Sequence, residues 1–155
     1  LFSEKSELAT KLPEEAQKLS FEIRLLEETA EALQSRINMV DAAITDLIYA
    51  NSTLEGLEKN KVGSELLIPI GGNSYIKANL DDPDTVIVGM GAGVSVEKTF
   101  QEAKEVIKKR LEGLEKTKES LEERFGQVAH KINEDRMELQ EIASELRKGT
   151  ASENV

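Results

Sequence analysis

Apolar residues return every seven positions along the first third of the chain, at Leu12, Leu19, Leu26, Leu33, Val40 and Leu47. Between them stand Ala16, Ile23, Ala30, Ile37 and Ile44, so steps of four and three alternate, which is the seam of a coiled coil. A second series near the other end runs Ile107, Leu111, Leu114, Lys118, Leu121, Phe125, Val128, Ile132, Asp135, Leu139, Ile142 and Leu146. It keeps the same spacing and carries two polar breaks, Lys118 and Asp135.

The two series align when run antiparallel. Leu12 then faces Leu146, Leu19 faces Leu139, Ile23 faces Asp135, Val40 faces Lys118 and Leu47 faces Leu111. A slip of one heptad would keep the pattern but leave one end unpaired. The expectation is a helical hairpin with both chain ends at one tip and the intervening block at the other end.

Pro13 suits a first helical turn better than a helix interior, so the first helix is expected to start in earnest near it, with residues 1–12 as a frayed extension. The expected organisation is a coiled-coil helix over 1–59, a β head over 60–98, a second helix over 99–148 and a disordered tail over 149–155. About 46 residues at ~1.5 Å each make an arm on the order of 70 Å. Thr99 with Glu102 three residues on fits a capping box for the second helix, and Gly149 reads as its stop.

In the central block the period changes from seven to two. Leu66 to Ile70, the Gly71-Gly72 turn and Ser74 to Leu80 predict one hairpin; Thr85 to Gly89, a turn around Gly91 and Gly93, and Val94 to Glu97 predict a second. Pro69 lacks an N–H donor and marks an edge or bulge. Four short strands cannot enclose a core of their own. Their apolar residues Leu66, Ile68, Ile70, Ile76, Ala78, Leu80, Val86, Val88, Val94 and Val96 are therefore expected to be buried against hairpins of other chains, in a shared barrel. The fold class expected is α+β, mainly α: a long antiparallel two-helix coiled coil joined by two hairpins that assemble between subunits.

Composition agrees with this reading. Of 155 residues 39% are hydrophobic, 4% aromatic and 32% charged, which suits a coiled coil better than a bulky core. A net charge of −10 argues against non-specific nucleic-acid binding. The absence of Cys rules out disulfides and thiolate metal sites and suits a reducing cytoplasm, and no apolar run suggests a membrane span. The start, Ser3, Glu4 and Lys5, does not suit a signal peptide. Gly89, Gly91 and Gly93 join two strands instead of opening a helix, which does not fit a nucleotide loop. His130 is the sole His and is expected on a solvated face. No nucleophile is paired with a base, so no catalytic residue, metal or cofactor is expected.

The segments Leu67-Ile68-Pro69-Ile70-Gly71-Gly72-Asn73-Ser74-Tyr75-Ile76-Lys77-Ala78 and Val88-Gly89-Met90-Gly91-Ala92-Gly93-Val94-Ser95-Val96-Glu97-Lys98 resemble the head of the prefoldin family, in its archaeal two-hairpin alpha type. Gly72-Asn73 departs from a frequent Ala-Gly within the turn. The resemblance implies a hexamer of two alpha and four beta-type subunits, built on a double β-barrel from which coiled coils hang. It also implies an ATP-independent holdase that captures non-native polypeptide at the tips and hands it to a group II chaperonin.

On that reading the tip candidates are Phe2, Leu8, Leu12, Leu19, Leu139, Ile142 and Leu146. Leu12, Leu19, Leu139 and Leu146 also satisfy the seam and are read first as its packing. Phe2 and Leu8 lie beyond the clean heptads and are the better candidates for exposed client-binding surface. Lys118 and Asp135 are open to two readings, a register-fixing device or local loosening, with loosening favoured. A structural coiled-coil tether and a homo-oligomeric, filament-forming relative stand as alternatives.

Overall fold

The computed structural model describes residues 2–153, and side chains from Ser3 to Ser152. Helix α1 spans Phe2–Leu57; strands β1 (Glu65–Gly71) and β2 (Ser74–Asn79) form one hairpin; β3 (Thr85–Gly91) and β4 (Val94–Thr99) form another; helix α2 spans Phe100–Glu153. The two hairpins are separate two-stranded antiparallel sheets. The α+β, mainly α fold is as expected.

The chain divides into two units, Val40–Thr117 and Leu1–Met39 with Lys118–Val155. In the second of these the helices pack along the predicted seam. Ile23, Leu33, Ile37, Ile132 and Ile142 are buried, while Leu12, Leu19, Leu26, Phe125, Leu139 and Leu146 are half-buried. Two interhelical ion pairs fix the register. Lys131 Nζ lies 3.8 Å from Glu22 Oε1, and Arg136 pairs with Glu27. Glu22 and Lys131 adjoin Ile23 and Ile132, and Glu27 and Arg136 adjoin Leu26 and Asp135. Both pairs form together only if Ile23 faces Asp135 and Leu26 faces Ile132; a heptad slip either way separates one of them.

Two expected boundaries move. α1 passes through Pro13. An interior Pro costs a hydrogen bond and some bending, yet the turns before it continue with Thr10 Oγ1 donating to the carbonyls of Ser6 and Glu7. α2 likewise continues through Gly149 to Glu153, in place of the disordered tail expected over 149–155; Asn154 and Val155 lie outside the described residues. Glycine weakens a helix by about 1 kcal/mol without ending it. Gly149 does not take the positive φ of a helix stop, and the side chains of Thr150 and Ser152 bond back to the carbonyls of Leu146 and Gly149.

In the Val40–Thr117 unit the heptads give way after Leu47 to a small core. Leu54, Phe100, Ala103 and Ile107 are buried there with Val88 of β3, and Leu47, Ala50, Leu57, Val86 and Val106 pack against them. α2 begins at the predicted capping box: Thr99 N donates to Glu102 Oε2 at 3.1 Å, and Glu102 N donates to Thr99 Oγ1 at 3.2 Å.

Candidate assembly head and terminal cleft

Both hairpins turn through residues with positive φ, Gly71, Gly72 and Asn73 in one and Gly91, Ala92 and Gly93 in the other. Each carries a register irregularity just before its turn, between Pro69 and Gly71 and between Gly89 and Gly91. The edge or bulge expected at Pro69 coincides with this irregularity, and Gly89 holds the equivalent place. β3 runs on past the expected Gly89 end, through Met90 to Gly91.

The predicted interface residues divide by environment. Ile68, Ile70, Ile76, Val94 and Val96 are exposed, and Leu66, Ala78, Leu80 and Val86 are half-buried. Val88 departs from the expectation: at 8% exposure it belongs to the chain's own core. The cause is α2, whose Phe100, Ala103 and Ile107 recur on one face and give β3 an apolar surface to lie on. Outside the predicted set, Leu67, Tyr75, Ile87 and Met90 are also exposed, Ile87 by 75%. Alternation predicts one apolar face per strand, whereas Leu67 in β1 and Ile87 in β3 make those strands apolar on both faces. A strand apolar on both sides is normally one buried on both.

Arg110 is a further contributor that the periodicity did not reveal. Its Nη2 donates to the Gly89 carbonyl at 2.6 Å, tying β3 to α2. Lys104 of α2 pairs with Glu58, which follows the end of α1 in the same unit. The linker between the hairpins is closed by Asp82: Asp84 N donates to Oδ1 at 2.8 Å and Thr85 Oγ1 to Oδ2 at 2.6 Å. These bonds hold the Asp82 carboxyl below its ordinary value near 3.8, the Thr85 hydroxyl having the larger effect.

At the terminal end of the other unit, Lys5, Leu8, Ala9, Leu12, Glu145, Leu146, Gly149, Thr150 and Ser152 line an open cleft of about 370 Å³. Three of the tip candidates, Leu8, Leu12 and Leu146, meet there. Leu8 is 54% exposed, as its place outside the heptads predicts. Leu19 and Leu139 are half-buried and Ile142 is buried, all in the seam. The Phe2 side chain lies outside the described residues. Phe21 and Leu25, not anticipated, are exposed on α1.

Asp135 is fully buried. Its Oδ1 accepts from Lys131 Nζ at 2.6 Å, and its Oδ2 has no hydrogen-bond partner. Pairing with Asp135 raises the Lys131 ammonium above its ordinary value. His130 is exposed and 3.3 Å from Glu134. Among the described residues no group of acidic, His or Cys side chains could hold a metal, and no helix is long and apolar enough to cross a membrane.

Two long helices joined by two apolar, edge-exposed hairpins define a coiled-coil protein with a β head. The family model for the prefoldin subunit matches residues 26–145, and the chain belongs to the prefoldin family, in its alpha type. It is similar to the prefoldin subunit alpha of Methanococcoides burtonii, 35% identical over 77% of this chain and 86% of that one. The prefoldin subunit alpha of Pyrococcus horikoshii is 34% identical, with the same coverage of both chains. Among solved structures, the filamentous PFD of Methanocaldococcus jannaschii, determined by cryo-EM, is similar with a TM-score of 0.66 and 25% identity, covering 77% of this chain and 98% of that one.

Proposed function

We propose that the chain is the alpha-type subunit of a cytoplasmic, ATP-independent holdase. Its hairpins assemble with one-hairpin beta-type subunits, two alpha with four beta, and its terminal ends capture non-native polypeptides for transfer to a group II chaperonin. The observation that carries this reading is the pair of hairpins exposing Leu67, Ile68, Ile70, Tyr75, Ile76 and Ile87 on strands with free edges. Such strands aggregate unless another chain covers them. The cleft joining Leu8, Leu12 and Leu146 supports client capture at the ends. No catalytic group is required of such a protein.

Native mass spectrometry of the chain mixed with a one-hairpin partner tests assembly; a monomer both alone and in the mixture sinks the proposal. Light scattering of an unrelated, heat-aggregating protein without nucleotide tests capture. Deleting Leu1 to Lys11 together with Glu141 to Val155 should abolish protection and leave the oligomer intact. A second reading, a homo-oligomeric filament, is favoured by the likeness to the filamentous PFD and would give a ladder of masses from the chain alone.

A further inference from the structure

A difficulty in the tip-capture reading is that Ile142 is buried in the seam and Leu12, Leu19, Leu139 and Leu146 are half-buried there. Their seam-facing surface can meet a client only if the terminal layers separate. We infer that Asp135 sets how far they separate: its buried carboxylate marks the boundary to which the terminal end of the helix pair opens. This rests on the tip-capture reading for its use, though not for its physics.

Every other layer of that unit's seam between Leu12 and Leu33 is apolar on both helices, whereas the Ile23 layer puts a carboxylate against an isoleucine. One oxygen is bonded to Lys131 and the other to nothing. A buried acceptor left unsatisfied forfeits its hydration for as long as the seam stays closed. Opening the layers toward the chain ends returns Oδ2 to water, so the step that includes Asp135 recovers free energy that no neighbouring layer offers. On the other side, the Leu26 layer with Ile132 and the buried Leu33 and Ile37 oppose further opening. The ion pair of Arg136 with Glu27 spans this point and reinforces the stop. Lys131 contributes in the closed state, since it bonds Asp135 and also reaches Glu22 across the pair.

The experiment is native-state hydrogen exchange on the full chain in its assembly, comparing amides of residues 8–22 and 136–149 with those of residues 30–37 and 121–128. Asp135→Leu, which removes the orphan oxygen, should slow exchange in the first set about tenfold and leave the second set unchanged. Lys131→Met, which leaves the carboxylate without its ammonium, should quicken exchange in the same first set. Equal effects on both sets, or no effect of either variant, overturns the inference. Because exchange is read without client, its outcome is independent of the capture reading, which falls instead if the doubly truncated chain still protects fully.

Discussion

Hairpins β1–β2 and β3–β4 follow one local plan and meet different surroundings. Ile68 pairs with Ile76 and Val88 with Val96 at like places in the two registers. Ile68 is 48% exposed, while Val88 is buried beneath α2. Pro69 occupies in β1 the place of Gly89 in β3, and only the Gly89 carbonyl has an arginine to accept from. Hairpin β1–β2 is instead tied at its base, through Gly63 N donating to the Leu80 carbonyl and Leu80 N to the Ser64 carbonyl. Turn chemistry and alternation suffice to make a hairpin; whether it is anchored depends on a helix face that the strands themselves do not encode. The anchored hairpin is part of the subunit's core, and the other leaves Leu67, Ile68, Ile70, Tyr75 and Ile76 exposed.

The largest test removes the anchor. Phe100→Ala should lower stability by about 3–5 kcal/mol, the usual cost of emptying a buried aromatic site, as read by chemical unfolding followed by circular dichroism. Amides of β3 and β4 should lose exchange protection and those of β1 and β2 keep theirs. Equal losses in both hairpins would break the distinction. Next in size are matched truncations at like positions. Val88→Ala should cost about 2 kcal/mol in the isolated subunit, from lost burial and the space left behind. Ile68→Ala should cost a few tenths there, being exposed, and should weaken assembly with a one-hairpin partner.

The coiled coil was legible because its signal is periodic and repeated on two helices. Pairing Ile23 with Asp135 followed from alignment alone, and the ion pairs of Lys131 and Arg136 bear it out. The hairpins were legible because Gly71, Gly72, Gly91 and Gly93 have few other uses in such a place. What escaped was non-periodic. The burial of Val88 depends on the Phe100, Ala103 and Ile107 face; that spacing was present in the sequence, but the heptad frame ended nearby and hid it. Arg110 bonds a backbone carbonyl distant in sequence, and nothing local announces such a contact. At the chain ends, Pro13 and Gly149 are ordinary helix stops that the long helices override. The cost at each is small beside the packing of the flanking seam.

The turns offer a smaller comparison. Gly72 has φ of 56° and Ala92, at the like place, 51°. A non-glycine residue pays roughly 1–2 kcal/mol for the left-handed region; glycine avoids this but loses more backbone entropy on folding. Ala92→Gly should therefore stabilise hairpin β3–β4 by a net of about 0.5–1 kcal/mol, measured as slower exchange of its amides. The reverse change, Gly72→Ala, should weaken hairpin β1–β2 by a like amount. A destabilising Ala92→Gly would show that chain entropy outweighs the strain.

The smallest effect concerns the linker that sets the hairpins apart. Asp82 accepts from Asp84 N and Thr85 Oγ1 more strongly as a carboxylate than as the neutral acid, and these bonds hold its carboxyl below 3.8. A group whose folded value is depressed lends stability above its unfolded value and loses it as pH falls through the folded one. The linker should thus stay closed at neutral pH and loosen only below about pH 3.8, where the Asp84 amide and Thr85 hydroxyl lose their ionised acceptor. The NMR shift of the Asp84 amide should titrate with a midpoint under 3.8, and Asp82→Asn should remove that transition. If the midpoint lies higher, or survives in the variant, another group governs the linker. If it behaves as expected, acid loosens the linker between hairpin β1–β2 and the anchored one without touching Val88 or Arg110, and separates a difference in anchorage from a difference in linkage.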